Sequence, residues 1–144
     1  MRYNPWVQVG QRPDIEVSCR ADLQGAEGAW VPSERVILLS GTLGWRARRS
    51  VLAHELVHLE LGHQPSCLPW FARRQERDAI NTAARRLVPV EALAGALSWS
   101  QDVYELAEEL DVDVPTVRAR LDCLTNEEKD YIDSRLEAAE KGIA

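Results

Sequence analysis

The sequence predicts an α+β fold that is mainly helical, with a small antiparallel sheet near the N-terminus packed on a helix that carries two histidines. Residues 14–40 contain short runs of alternating apolar and polar residues separated by turn signals, which is typical of half-buried strands. Residues 45–89 and 90–140 carry apolar residues at helical spacing. The chain has 144 residues, 45% of them hydrophobic, and can bury one compact core but hardly two, so we expect a single domain over residues 1–144.

The elements are predicted in order along the chain. Residues 1–13 show no sustained periodicity and contain prolines at positions 5 and 13, which predicts an N-terminal arm. Alternation then predicts three short strands, at residues 14–19, 29–31 and 35–40. One helix is predicted from about residue 45 to residue 61, before Gly62, and another over residues 70–88, before Pro89.

The stretch from Ala53 to His63, AHELVHLELGH, has the clearest chemical meaning. His54 and His58 are four residues apart, which puts both imidazoles on one face of a helix, one turn apart. Glu55 is rotated by roughly 100° around the same axis, so it can reach a water on a metal ion rather than the ion itself. This is the HExxH arrangement of zinc peptidases, with Glu55 as general base. The alternative is a buried helix whose histidines hydrogen-bond in the core, with Glu55 at the surface.

A catalytic zinc ion takes three protein ligands and keeps one open position, so the site needs a third ligand. Glu76 is the first choice, because it lies 18 residues beyond His58 on a helix predicted to cross the first one. Asp78 on the same helix is the alternative. Cys67, in a proline-flanked loop, and His63, at a helix C-terminus where the helix dipole alone favours it, are weaker candidates. Iron and manganese can occupy similar ligands.

Substrate binding is predicted by analogy only. In zinc peptidases of this general type, an apolar strand beside the metal helix pairs with an extended substrate through its free edge. Residues 36–39 are the most apolar part of the predicted strands, so by this analogy we expect them to pair with the substrate. Three imidazole or phenol side chains are candidates for the group that donates a hydrogen bond to the oxyanion, and the sequence does not choose between them: His63, Tyr104 and Tyr131.

Two segments together resemble the signature of ImmA/IrrE-type metallopeptidases. They are HELVHLELGH at residues 54–63 and ERDAINTAARRLVP at residues 76–89, and the family patterns are HELxHxxLGH and ExEAxxFAAxLLxP. The sequence departs from the second pattern at three positions, Asp78, Ile80 and Thr82. The resemblance covers roughly residues 14–124 and implies a zincin-like domain whose third ligand is the glutamate matching Glu76. It also implies an intracellular zinc endopeptidase that cleaves or inactivates a helix-turn-helix repressor. Small stand-alone members of this kind are typical of phages and other mobile elements.

The last third of the chain contains a helix-turn-helix-like segment at residues 105–124. Residues 101–124, however, include seven acidic residues and two arginines, a net charge of −5. Contact with phosphates needs the opposite sign, so we expect this segment to pack within the protein and not to read DNA. The family has a similar helical segment at the end of its peptidase domain.

Composition sets the remaining expectations. Seventeen basic and 23 acidic residues give a net charge of −6, which argues against broad affinity for nucleic acid. The sequence has no signal-peptide core and no run long enough to span a bilayer, and its three widely spaced cysteines do not form a disulfide framework. We therefore expect a cytoplasmic protein with reduced thiols, a protein substrate as its partner, and no contact with membranes.

Two functions are compatible with these residues. The first is a zinc-dependent endopeptidase, with Zn²⁺ on His54, His58 and Glu76, that hydrolyses a peptide bond in a helix-turn-helix repressor. The alternative is a regulatory protein that keeps the metal and inactivates a repressor by complex formation without cleavage. An intact Glu55 favours the enzyme, because a protein that only binds has no need of a base at that position.

Overall fold

The computed structural model describes residues 2–142 of the chain. The first residue of the predicted arm and the last two residues of the predicted domain lie outside the described residues. Within them the chain forms seven helices and three strands. In chain order these are α1 (Pro5–Gly10), β1 (Glu16–Ala21), β2 (Gly28–Val31), β3 (Val36–Ser40), α2 (Trp45–Glu60), α3 (Pro69–Leu87), α4 (Val90–Leu97), α5 (Val103–Leu110), α6 (Val114–Asp122) and α7 (Asn126–Glu140).

The predicted fold class, α+β and mainly helical, is confirmed. The chain divides into two compact units, Met1–Ala83 and Ala84–Ala144, with the division inside α3. We describe each unit by itself, and the single domain expected over residues 1–144 stays a prediction. Among the described residues, no helix has the length and apolar character that crossing a membrane requires.

The sheet of the first unit is mixed, whereas the sequence predicted an antiparallel one. Its strand order is β1-β3-β2, with β2 antiparallel to β3 and β1 parallel to β3. Apolar residues alternate with the same period of two in both kinds of ladder, so the pattern identified the strands without their directions. The expectation that residues 36–39 offer a free edge is also wrong, because β3 is the central strand. Among the described strands that contact α2, β2 lies at an edge of the sheet.

The sheet packs on α2, as predicted. Leu52 and Leu56 of α2 are fully buried and form one apolar cluster with Ile37 and Leu39 of β3 and with Ile15. The predicted arm includes the short helix α1, in which the Asn4 side chain accepts a hydrogen bond from the Trp6 amide at 3.0 Å. Six residues are too few for a periodic pattern, so the sequence showed no helix there.

The second unit contains the end of α3 and helices α4 to α7 around a core that includes Leu93, Leu106 and Val117. Helices α5 and α6 form the predicted helix-turn-helix-like segment. Asp111 has φ 57°, in the left-handed region, which ends α5. The Asp113 side chain then accepts a hydrogen bond from the Thr116 amide and caps α6.

Candidate metal centre

Helix α2 presents both histidines of the HExxH pattern on one face. His54 and His58 are one helical turn apart, and their side chains are 19% and 16% exposed. Their rings meet edge to face, and the two Nε2 atoms lie 3.1 Å apart. The neighbouring residues Ala53 and Val57 are fully buried, which holds this face of the helix in a fixed orientation.

Helix α3 brings Glu76 to the two histidines. Its Oε1 lies 2.9 Å from His54 Nε2, and its Oε2 lies 3.1 Å from His58 Nε2. Among the described residues, the ligand atoms of these three side chains lie within 4.8 Å of one another and could hold a metal ion. We call His54, His58 and Glu76 the metal group. The structure therefore brings together His54, His58 and Glu76, the set that the sequence predicted.

The spacing of the donor atoms fits a small tetrahedral ion. Donors about 2.0 Å from a tetrahedral zinc ion stand about 3.3 Å from one another. The separations here, 2.9 and 3.1 Å, are close to that value. Two imidazole nitrogens and one carboxylate are also the donor set of catalytic zinc sites that keep a fourth position open.

The electrostatics of the group favour a charged carboxylate. A hydrogen bond from His54, and to a smaller extent one from His58, holds the pKa of Glu76 well below its ordinary value. The Glu76 side chain is 53% exposed, so the group opens to solvent on the side of α3. A carboxylate that stays ionised can bind a cation without first losing a proton.

Glu55 is buried, in contrast to the alternative in which it lies at the surface. The residue is only 6% exposed and is covered by β2. Burial raises its pKa, which the nearby imidazoles of His54 and His58 and a hydrogen bond from the Trp30 backbone partly oppose. A carboxylate with a raised pKa beside a metal group is suited to accept a proton near neutral pH.

His63 contacts His58 and is outside the group of three. Gly62 has φ 67°, so the chain reverses at the end of α2, and the His63 amide donates to the His58 carbonyl at 3.0 Å. The Nδ1 atoms of His58 and His63 lie 2.9 Å apart. If His58 binds a metal through Nε2, its proton is on Nδ1 and can be donated to His63. Burial lowers the pKa of His63, in keeping with a neutral acceptor.

The structure does not bring the other candidate ligands into the group. Asp78 and Cys67 are exposed, and the Cys67 thiol is free. Of the candidate oxyanion donors, only His63 lines the cavity beside the metal group. Tyr104 and Tyr131 belong to the second unit, where Tyr104 is exposed and the Tyr131 hydroxyl accepts a hydrogen bond from Arg135.

Gln75 is a site residue that the sequence reasoning missed. Its side-chain amide pairs with the backbone of Gln64: the Gln64 amide donates to Gln75 Oε1 at 3.1 Å, and Gln75 Nε2 donates to the Gln64 carbonyl at 2.9 Å. This pair ties the loop after α2 to α3 one residue before Glu76. A glutamine next to a candidate ligand was the only signal in the sequence, and glutamine is too common on helix surfaces to be recognised from it.

One cavity opens at the metal group, and a second cavity adjoins it. The first, of about 300 Å³, is lined by Glu55, His58, His63 and Glu76 together with Gly28 and Trp30. The second, of about 510 Å³, shares Trp30, Pro32 and Gln64 with the first and continues to Arg12 and Arg35. The free edge of β2 therefore forms one wall of a cleft in which an extended chain could lie across the metal group.

Comparison with known proteins adds one match. The chain matches the family model of the IrrE N-terminal-like domain (Peptidase_M78) over residues 14–122. No curated protein and no solved structure matches it. The matched residues include the whole sheet and helices α2 and α3, which carry the metal group and Glu55.

Proposed function

Because the chain belongs to the family of IrrE N-terminal-like peptidase domains, we propose that it is a zinc-dependent endopeptidase that hydrolyses a peptide bond in a protein substrate. One observation carries the proposal. The ligand atoms of His54, His58 and Glu76 converge to within 4.8 Å beside the buried carboxylate of Glu55. In this proposal the first three residues hold the metal and Glu55 is the general base.

Zinc is the metal that these donors suit best, since two neutral imidazoles and a carboxylate leave a fourth position for water or substrate. When bound, the ion lowers the pKa of a coordinated water and polarises the carbonyl of the scissile bond. Iron and manganese accept similar ligands, so the metal content of the purified protein is part of the test.

The residues of the chain provide the proton transfers. The Glu55 carboxylate accepts the proton of the attacking water and then donates it to the nitrogen of the leaving amine. Its burial under β2 keeps bulk water away from this proton and raises the pKa towards the range in which both transfers are efficient. When His58 binds a metal through Nε2, its proton is on Nδ1, and His63 Nδ1, 2.9 Å away, can accept that hydrogen bond and hold the ring in this tautomer.

The edge strand β2 positions the substrate. In an antiparallel ladder alternate residues direct their N–H and C=O groups away from the partner strand. At the free edge of β2 these groups can pair with an extended peptide, which would then lie along the cleft beside Glu55. In this proposal β2 takes the place of β3 as the strand that binds substrate, because both edges of β3 are already paired, with β1 and with β2.

The substrate class follows from the family resemblance of the sequence and not from the geometry. We take it to be a helix-turn-helix repressor, as in ImmA/IrrE-type peptidases. We place the activity in the cytoplasm, where the three free cysteines would stay reduced. The acidic helix-turn-helix-like segment of this chain is not proposed to bind DNA.

The test combines elemental analysis with cleavage of a quenched fluorescent peptide library. We expect wild type to carry about one zinc per chain and to cleave members of the library, and Glu55→Gln to keep the zinc but lose cleavage by about 10³-fold or more. Glu91→Gln, which changes an exposed glutamate of α4 that has no partner in the described chain, is the matched control and should behave as wild type.

Three outcomes count against the proposal or one of its parts. A wild-type protein without stoichiometric metal contradicts it at the metal site. A wild-type protein that carries zinc, cleaves nothing in the library, and still binds a purified helix-turn-helix repressor would support the non-proteolytic alternative. Glu55→Gln with unchanged cleavage would assign the base to another residue.

A further inference from the structure

One face of α3 is basic, exposed and next to the metal group. It consists of Trp70, Arg73, Arg74, Arg77 and Ile80, which we call the basic face. At roughly 100° per residue these five positions fall within an arc of about 120° around the helix axis. All five are exposed, and Trp70 is exposed to 58%.

In the described part of the chain, the three guanidinium groups of the basic face have no partner. Within residues 2–142, neither a hydrogen bond nor an ion pair reaches Arg73, Arg74 or Arg77. Most other arginines of the chain are engaged: Arg35, for example, is 2.5 Å from Asp14, and Arg85 is 2.9 Å from Glu128. Only two further arginines of the described chain are equally free, Arg20 and Arg118, and each lies on a different element. The concentration of free arginines on α3 is therefore local.

The surface carries apolar area as well as charge. The Trp70 and Phe71 rings pack edge to face with centroids 5.8 Å apart, and Phe71 and Ile80 are each 39% exposed. Exposed aromatic side chains beside arginines are typical of surfaces that bind proteins. Because such area is costly to leave in water, its position next to the metal group favours a binding role.

The basic face adjoins the side of α3 that forms the site. Glu76 is one residue before Arg77, and Ala72 and Gln75 line the cavity. The arc that carries the arginines begins about 60° from Glu76 around the axis. A polypeptide that leaves the cleft over the exposed Glu76 carboxylate would pass directly onto this face.

Charge decides between possible occupants. Besides Glu76, Asp78 is the one acidic residue of α3. Three arginines therefore leave residues 70–80 with a net positive charge, although the whole chain has a net charge of −6. Three cations on a chain of that charge are few for a phosphate backbone, which usually engages more of them. They suit a short run of carboxylates, with which arginine forms bidentate hydrogen bonds.

We propose that the basic face of α3 is a docking surface for an acidic segment of the protein substrate that also carries an aromatic or other apolar side chain. This segment lies outside the one that is cleaved. The proposal rests on the proposed peptidase function for its biological meaning. The carboxylates of the segment pair with Arg73, Arg74 and Arg77, and its apolar side chain packs on Trp70. Docking there raises the local concentration of the scissile segment at the metal group.

The test measures binding without cleavage. Zinc-loaded Glu55→Gln protein is titrated into a labelled short peptide in which aspartate and glutamate alternate with phenylalanine, and fluorescence anisotropy is recorded at low and at physiological salt. The control peptide carries asparagine and glutamine at the acidic positions. We expect the acidic peptide to bind about tenfold more tightly than the amide peptide, and added salt to weaken the difference.

Variants then assign the surface. Arg73→Glu, Arg74→Glu and Arg77→Glu combined should lower affinity for the acidic peptide by about tenfold or more, with unchanged zinc content and circular dichroism. Arg20→Glu and Arg118→Glu, which reverse the charge of equally free arginines elsewhere, should leave affinity unchanged. Trp70→Ala should lower the affinity for both peptides, because it removes an apolar contact.

Three results would overturn the docking proposal: equal binding of the acidic and amide peptides, an unchanged affinity of the triple variant, or tighter binding of a single-stranded oligonucleotide than of the acidic peptide. The last result would assign the face to nucleic acid. Since the readout is binding by a variant without the proposed base, these failures are separate from a failure of the peptidase proposal, which the library assay detects.

Discussion

Gly28 on β2 and Glu55 on α2 lie so close together that the strand has no room for a side chain. A Cβ added to Gly28 would be 3.2 Å from Glu55 Oε1 and 2.5 Å from Cγ1 of Val51. The backbone of β2 therefore lies directly over the carboxylate that we propose as general base. This contact buries Glu55 and limits its rotamers, since a packed side chain has few conformations available.

We predict that Gly28→Ala impairs catalysis more than metal binding. The added methyl group collides with Val51 and must push β2 or the side chains of α2 aside, which costs about 1–3 kcal/mol of stability. Displacement of Glu55 by about 1 Å should lower kcat by about tenfold to 100-fold, while His54 and His58 keep the metal. The checks are kcat on a library-derived peptide and zinc content. Gly10→Ala is the control, because nothing lies within 4 Å of its added Cβ. A Gly28→Ala protein with wild-type kcat would contradict this account of Glu55.

The choice of third ligand leads to a second prediction. Glu76 lies 2.9 and 3.1 Å from the two Nε2 atoms, whereas Asp78 is outside the group. Glu76→Gln should therefore lower zinc affinity by more than about 100-fold, because a charged donor is lost from the inner set of ligands. Asp78→Asn removes the same charge two residues away and should keep the affinity of wild type. Competition with a chromophoric chelator measures both. The reverse pattern would assign the ligand to Asp78.

His63 is predicted to tune metal affinity without binding the metal. Its Nδ1 is 2.9 Å from Nδ1 of His58, so it can hold that ring in the orientation that points Nε2 at the metal. We expect His63→Ala to weaken zinc binding by about tenfold to 100-fold. His63→Gln, which restores a hydrogen-bond acceptor, should recover part of the loss. Chelator competition distinguishes the two variants, and equal affinities of His63→Ala and wild type would exclude this role.

The metal group could be predicted from the sequence because it depends mostly on short-range geometry. His54 and His58 share a helix, and their spacing alone puts them on one face. Glu76 required a second helix, which helical spacing predicted over residues 70–88, and Ala79 and Ala83 of this helix are buried. Helix α3 was likewise predicted, over residues 70–88, and spans Pro69–Leu87.

The remaining features depend on contacts between distant segments, which periodicity does not encode. The direction of β1 relative to β3 is set by how the chain between them crosses the sheet, and alternation is the same in either direction. For the same reason β3 could not be recognised as central. The burial of Glu55 depends on Gly28, and no local pattern in the sequence links this glycine to a residue that lies far along the chain.

A last prediction concerns the second unit, in which a buried arginine depends on one carboxylate. The Arg120 side chain is 3% exposed, its Nε donates to the Val88 carbonyl at 2.7 Å, and its guanidinium is paired with Glu128. Glu128 also accepts from Arg85 at 2.9 Å and from the Thr125 amide at 3.2 Å. The hydrogen bond from Arg120 is the main cause that lowers the pKa of Glu128 from 4.5 to about 2.

The sign of the pH effect follows from this lowered pKa. The folded protein holds Glu128 ionised where the unfolded chain would bind a proton, so its contribution to stability is complete above about pH 4.5 and is lost as the pH falls towards about 2. Glu128→Gln leaves the buried Arg120 without its counter-charge and should lower the free energy of unfolding at pH 7 by about 3 kcal/mol. Urea titrations across the acidic range should then show a shallower loss of stability for Glu128→Gln than for wild type. Glu127→Gln, which changes an exposed glutamate one residue away in the first turn of α7, should keep the wild-type slope. An equal slope in Glu128→Gln would show that this carboxylate is not linked to folding.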